Sequence, residues 1–241
     1  MTGLTPTVVD GPAAAGVAAA DAIGSVIEAN PAAAVVVATG RTPMDTYRVL
    51  ADRATSGLET SRLRVFQLDE YVGVAPDDDR SLSGWMDRSF VGPLGIDPSS
   101  VVRLDALAPD HDAICAGYEH AVGMAGGFDL AILGLGPNGH LGFNEPPSDQ
   151  TSPTRVVDLT DESLASNTAY WGPGRVPSRA LTAGMDLLLA ARRVVLIVTG
   201  DAKRDILRRA LTEPPTPSVP ASFLQDHPDT LVIADRAAWG R

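Results

Sequence analysis

Within eight residues of the stretch Gly134-Leu135-Gly136-Pro137-Asn138-Gly139-His140-Leu141-Gly142-Phe143-Asn144-Glu145-Pro146 lie four polar side chains, Asn138, His140, Asn144 and Glu145. His140 with Glu145 is an acid–base couple in which a carboxylate orients an imidazole. A second pair, Asp69-Glu70, follows the apolar run Leu63–Leu68. A carboxylate at the end of such a run is partly desolvated, and its pKa rises toward values useful to a base. Thr39-Gly40-Arg41-Thr42, followed by Pro43, offers two hydroxyls and backbone N–H groups ahead of a helix. A helix N-terminus of this kind is an anion site. Arg179 and Lys203 are candidate cations for a phosphate.

These groups need a scaffold, and the order of apolar runs supplies one. The patterning predicts helices over 12–29, from Pro43 through Leu50, over 82–90, 110–124, 161–170, 181–190 and 201–211. It predicts strands over 33–38, 63–68, 100–104, 130–133, 154–159, 194–198 and 230–234. Asp77–Ser81 reads as a solvated turn capping the helix at 82, and Pro214–Pro220 as a stiff linker. Alternating strands and helices with short, unbroken apolar runs describe a mostly parallel α/β sheet, Rossmann-like, with helices on both faces. No composition break or internal repeat divides the chain, so residues 1–241 are read as one domain. Ligands of such sheets bind at the carboxyl ends of the strands, where all three polar stretches fall.

Composition excludes several classes. Thirty acids against 19 bases give a net charge of -11, with no basic run, which argues against nucleic acid. No GxGxxG opens a helix after the first strand, so a dinucleotide cofactor is not indicated. Cys115 is the only cysteine, and the histidines at 111, 120, 140 and 227 lack metal-ligand spacing. Neither a disulfide nor a metal is expected. No uncharged 18-residue apolar span or basic leader occurs, so a soluble cytoplasmic protein without membrane contact is expected.

Taken together, Thr39–Pro43, Leu68-Asp69-Glu70-Tyr71-Val72-Gly73, Gly134–Pro146, Ser178-Arg179-Ala180-Leu181-Thr182, Val198–Lys203 and Pro220–Pro228 resemble the glucosamine-6-phosphate deaminase family. The resemblance runs in order from about residue 33 to 235. Gly-His-Leu-Gly-Phe-Asn-Glu-Pro is its most specific part; the related 6-phosphogluconolactonases share only the start of that stretch. The resemblance implies the fold of ribose-5-phosphate isomerase and the CoA transferases. It also implies a cofactor-free conversion of glucosamine 6-phosphate and water to fructose 6-phosphate and ammonia. By motif, Asp69 would move a proton between C2 and C1, and His140, supported by Glu145, would open the sugar ring. Thr39, Gly40, Arg41, Thr42, Glu70, Arg179 and Lys203 would bind the substrate and its phosphate.

Three positions depart from the family pattern. Asn138 stands where many members carry an aspartate, leaving Glu145 as the charged partner of His140. Arg41 stands where a small residue is usual. Arg155-Val156-Val157 lacks the lysine of the Arg-x-Lys that grips an effector in allosteric members, so no activation by N-acetylglucosamine 6-phosphate is expected. The sequence leaves open galactosamine 6-phosphate or another amino sugar phosphate as substrate. It also leaves a 6-phosphogluconolactonase, a non-catalytic sugar-phosphate sensor, and either a monomer or a homo-oligomer. A lid from 147–170 or Trp171–Gly174 is a further expectation.

Overall fold

The computed structural model describes residues 4–171 and 175–240. The chain runs β1 (Thr7–Val9), α1 (Pro12–Ala29), β2 (Ala34–Val37), α2 (Met44–Thr55), β3 (Arg64–Gln67) and β4 (Asp69–Tyr71). It continues through α3 (Leu82–Met86), β5 (Val101–Val102), α4 (His111–Ala125), β6 (Leu130–Gly134), β7 (Arg155–Asp158) and α5 (Asp161–Trp171). It closes with β8 (Arg179–Thr182), α6 (Met185–Leu189), β9 (Val194–Val198), α7 (Arg204–Thr212), β10 (Thr230–Asp235) and α8 (Arg236–Trp239).

Seven strands form a parallel sheet in the order β1-β10-β9-β6-β2-β3-β5. Its central strands carry no polar alternation because both faces are covered. Successive side chains of β2 show this: Val35 and Val37 join the core under α1 and α2, while Ala34 and Val36 join the core under α4 and α7. Cys115 lies in the second of these cores as a small buried side chain. α1 is long and apolar enough to cross a membrane by length and composition alone. It carries Asp21 and Glu28, and Ala19, Ile23 and Ile27 pack into the core.

The expected α/β architecture is therefore present, with corrections. β1 was not anticipated; three residues carry too little periodicity to register. Residues 181–190 are not one helix. Arg179–Thr182 is a strand, and only Met185–Leu189 is α-helical, beginning at the N-cap Gly184. Pairing overrides local helix propensity here: β8 lies between β4 and β7 in an antiparallel three-stranded sheet, with Asp69 opposite Thr182 and Asp158 opposite Arg179. The helix at 82–90 is α-helical to Met86 and becomes a π-helical turn over Asp87–Val91. Residues 201–203 form a 3-10 turn before α7. The proline-rich stretch closes on itself by a Thr216–Val219 bridge and runs into a 3-10 helix over Pro220–Asp226.

The junction of the two sheets matters most for chemistry. β3 ends at Gln67, and two residues later the chain is already in β4 of the other sheet. Asp69 is the first residue after that crossing. Two buried tyrosines fix the neighbouring strand ends: the Tyr47 hydroxyl donates to the Ala38 carbonyl and the Tyr118 hydroxyl to the Gln67 carbonyl, each at 2.7 Å.

Candidate active site

A cleft of about 440 Å³ opens at the carboxyl ends of β2, β3 and β6. Thr39–Pro43, Leu68, Asp69, Gly134–Pro137, His140 and Lys203 line it, together with Tyr71, Asp79, Arg80, Trp85, Asn167 and Trp171. Six separate stretches of sequence thus converge on one concavity, at the place in an open α/β sheet where strand order reverses.

Gly134–Glu145 folds as a tight turn because two glycines permit it. The Gly136 N–H donates to the His140 carbonyl at 3.0 Å, and a Cβ on Gly136 would lie 2.2 Å from Nε2 of His140. Gly139 has φ +88°, and a Cβ there would meet Val219 at 2.7 Å. The turn brings His140 Nδ1 to 3.3 Å from Glu145 Oε2. The same oxygen accepts from Asn138 Nδ2 at 2.7 Å and from the Thr160 hydroxyl at 3.1 Å. Burial pushes the Glu145 carboxyl up, but the hydrogen bond and charge of His140 and the bonds from Ser163 and Asn138 outweigh it and bring it down to about 2. An ionised Glu145 selects the tautomer with the proton on Nδ1, which leaves Nε2 as the nitrogen that exchanges protons. Asn138 thus supports His140 indirectly, by fixing its carboxylate partner. Asn144 plays a structural part: Nδ2 donates to the Leu141 and Ala183 carbonyls, and Oδ1 accepts from Arg155 at 2.9 Å.

Asp69 sits on the opposite wall in different surroundings. It is buried, and its Oδ1 has no hydrogen-bond partner among the described residues. Burial and the charge of Glu70 raise its carboxyl from 3.8 to about 8, against a hydrogen bond from Thr39 that lowers it. Its neighbour Glu70 points the other way, as alternate residues of a strand must. Glu70 is fully engaged, accepting from Ser81 Oγ, the Ser83 N–H and Gln67 Nε2 on Oε2, and from the Leu82 and Tyr71 N–H groups on Oε1, at 2.8–3.1 Å. It holds the N-terminus of α3 and is not among the residues lining the cleft.

The Thr39–Thr42 loop leads into α2 as expected, with Gly40 at φ +91°. Lys203 faces it from the turn after β9; burial lowers its pKa. Arg179 is different. Its side chain is more than half exposed on β8, 4.0 Å from Asp158, and is absent from the cleft lining. Arg155 is likewise used inside the fold, bonding Asn144, Ser148 and the Pro153 carbonyl.

Sequence reasoning missed one wall. α5 presents Ser163, Asn167 and Trp171 at four-residue intervals, the spacing of a single helix face. The Ser163 hydroxyl lies 3.4 Å from His140 Nδ1, Asn167 lines the cleft, and Trp171 stacks edge-on to Tyr71 at 4.9 Å. The four-residue spacing was visible in the sequence, but it carried no mark of facing the ligand. Asp79 and Arg80, read as solvated surface, also line the cleft, and the Arg80 guanidinium lies 4.8 Å over the Trp171 ring. Of the segments expected as a lid, Ser166, Asn167 and Trp171 of α5 line the cleft, and 172–174 lie outside the described residues. Among the described residues no group of three or more His, Cys, Asp or Glu side chains could hold a metal.

Comparison with known proteins agrees with this geometry. Residues 12–233 match the family described as glucosamine-6-phosphate isomerases/6-phosphogluconolactonase. A glucosamine-6-phosphate deaminase from Cutibacterium acnes is 44% identical over 93% of this chain and 87% of its own. One from Rhodopirellula baltica is 42% identical over 88% and 85%. Among solved structures, a monomeric glucosamine-6-phosphate deaminase superposes with a TM-score of 0.95 at 33% identity, covering 98% of this chain and 99% of that one. A 6-phosphogluconolactonase from Trypanosoma cruzi shares the fold, with a TM-score of 0.80 at 21% identity over 99% and 97%. With its acid–base groups gathered at the strand ends and its relatives matched over nearly their whole length, the chain belongs to the glucosamine-6-phosphate isomerase/6-phosphogluconolactonase family.

Proposed function

We propose that this chain is a glucosamine-6-phosphate deaminase, releasing ammonia and fructose 6-phosphate from glucosamine 6-phosphate and water. One observation carries the choice: a buried carboxylate of raised pKa, Asp69, faces the same cleft as a carboxylate-oriented imidazole, His140. Hydrolysis of a lactone requires no base for a carbon-bound proton, whereas isomerisation does. The deaminase names of the relatives at 42–44% identity point the same way.

The phosphate anchors one end of the substrate between the Thr39–Thr42 loop and Lys203, where the α2 dipole and a partly buried ammonium favour an anion. His140 Nε2 takes the O1 proton and returns one to O5, opening the ring; Glu145 stabilises the imidazolium formed in between. Asp69 then removes the proton from C2 of the open aldehyde, and the electrons pass to O1, which takes a proton from water to give an enol carrying the amine at C2. The same carboxyl delivers its proton to C1, leaving an iminium at C2. Water adds to that carbon and ammonia departs, which yields the ketose phosphate. A base near pKa 8 suits a carbon acid, since proton-transfer efficiency is greatest when the catalyst's pKa lies near the working pH.

The test is ammonia release from glucosamine 6-phosphate, with galactosamine 6-phosphate and 6-phosphogluconolactone alongside. Turnover of the first, abolished by Asp69→Asn, is expected. Lactone hydrolysis that survives Asp69→Asn, with no ammonia release, would overturn the reading. No activation by N-acetylglucosamine 6-phosphate is expected, because Arg155 is spent on internal hydrogen bonds.

A further inference from the structure

The cleft contains a cation that the phosphate site described so far does not use. Arg80 lines the cleft just ahead of α3, and it is held on two sides. Its Nε and Nη2 donate to the two carboxylate oxygens of Asp78, at 2.8 and 2.6 Å. Its guanidinium plane lies over Trp171, the last residue of α5. A surface arginine ordinarily keeps its rotamer freedom, and fixing it on a ligand costs side-chain entropy. Here the fork is already oriented, and the Asp78 contacts occupy two of its five N–H groups. Trp85, which lies in the same short helix that Arg80 precedes, packs edge-on to Tyr47 of α2 at 6.3 Å. That contact sets the Arg80 corner beside the helix whose N-terminus carries the Thr39–Thr42 loop. Meanwhile Arg179, the arginine that motif matching puts on the phosphate, is outside the cleft.

We propose that Arg80 is a phosphate-binding residue, gripping the substrate's dianion from the α3–α5 wall while Lys203 and the Thr39–Thr42 loop hold it from the strand ends. The inference rests on a sugar phosphate being the ligand, but it assigns a contact that the family motifs do not carry. The neighbouring charges bear on it directly. Asp78 is already paired with Arg80, Asp79 lines the same wall as an opposing negative charge, and Arg41 lies on the loop across the cleft. A phosphate there is therefore held only if Arg80, Arg41 and Lys203 together outweigh Asp78 and Asp79.

The experiment is titration calorimetry with inorganic phosphate and with fructose 6-phosphate, run beside steady-state kinetics on wild type, Arg80→Gln and Arg80→Lys. Arg80→Gln is expected to weaken binding of both ligands about tenfold and to raise KM by the same factor, with kcat changed less than KM. Arg80→Lys should recover part of the loss, since it keeps the charge and gives up the fork. The affinity for unphosphorylated glucosamine, measured as a competitive inhibitor, should not move. Phosphate affinity unchanged in Arg80→Gln would overturn the proposal, as would equal losses for phosphate and glucosamine, the sign of a merely structural arginine. Wild-type turnover is read separately. Its absence, with Arg80-dependent phosphate binding intact, would overturn the deaminase reaction and uphold the cation.

Discussion

The two walls of the cleft each offer a buried carboxylate, and they treat it in opposite ways. Around Glu145, three donors converge on one oxygen and the carboxyl is held down to about 2. Around Asp69, burial and the adjacent Glu70 act without comparable donors, and the carboxyl rises to about 8. Glu70 shows what the same strand does when donors are present, since five of them surround it. Donor supply, together with burial, thus separates a carboxyl held down from one raised toward the range of a base. An enzyme that exchanges protons at both oxygen and carbon needs one of each.

The largest test of this contrast removes the base. Asp69→Asn should lower kcat by about 10³-fold or more while leaving the protein folded, because the amide matches the neutral acid that Asp69 is below a pH of about 8. Ammonia release and thermal unfolding measured together would show it, and an active variant would end the assignment. Next, Glu145→Gln should cost about 10²-fold in kcat, since the imidazolium loses its counter-charge. Here Gln can donate as well as accept, and Asn138 Nδ2 would lose its strongest acceptor.

The pH dependence sharpens the same comparison. As the proposed base, Asp69 must be ionised, so kcat/KM should rise about tenfold per pH unit until the pH reaches about 8. Glu70→Gln removes the neighbouring charge and should shift that limb to lower pH. Stability should move oppositely for the two acids. The folded chain holds the Asp69 proton that the unfolded chain gives up above 3.8, so this group's contribution falls as pH rises from there to about 8. Glu145 contributes stability that is present above its ordinary 4.5 and is lost as pH falls toward 2. Urea unfolding across that range, with Asp69→Asn as reference, would separate the two slopes. The smallest expected effect is at Arg179: Arg179→Ala should change KM by less than about twofold, because an exposed ion pair on β8 is worth little.

Much of the fold was legible, and for identifiable reasons. Leu130–Leu133 and Val194–Val198 could only be strands covered on both faces, and the glycines after Leu133 could only be a turn. The helix over 12–29 and the turn capping at Ser81 follow equally from local chemistry. The small antiparallel sheet was not legible. Arg179–Thr182 has no strong alternation, and it is a strand only because β4 and β7 flank it. The site divides in the same way. His140 with Glu145 is a local pair five residues apart, closed by a turn whose glycines are visible in the sequence. Asp79 and Arg80 looked like solvated charge because nothing local says that Trp171, some ninety residues on, lies beneath the arginine.

What the sequence by itself determined is the parallel scaffold, the glycine turn that holds His140, and the polar loop over Thr39–Thr42 ahead of α2. These depend on neighbours within a few residues, where apolar runs, glycines and helix starts act directly. Only the tertiary structure decided that Asp69 faces the cleft while Glu70 caps α3, that Arg179 stands outside, and that Arg80 stands within. In a strand, adjacent side chains must take opposite faces, but which face meets the ligand is fixed by what packs behind it. For Asp69 and Glu70 that is the N-terminus of α3, whose N–H groups claimed one carboxylate and left the other with its hydrogen bond from Thr39.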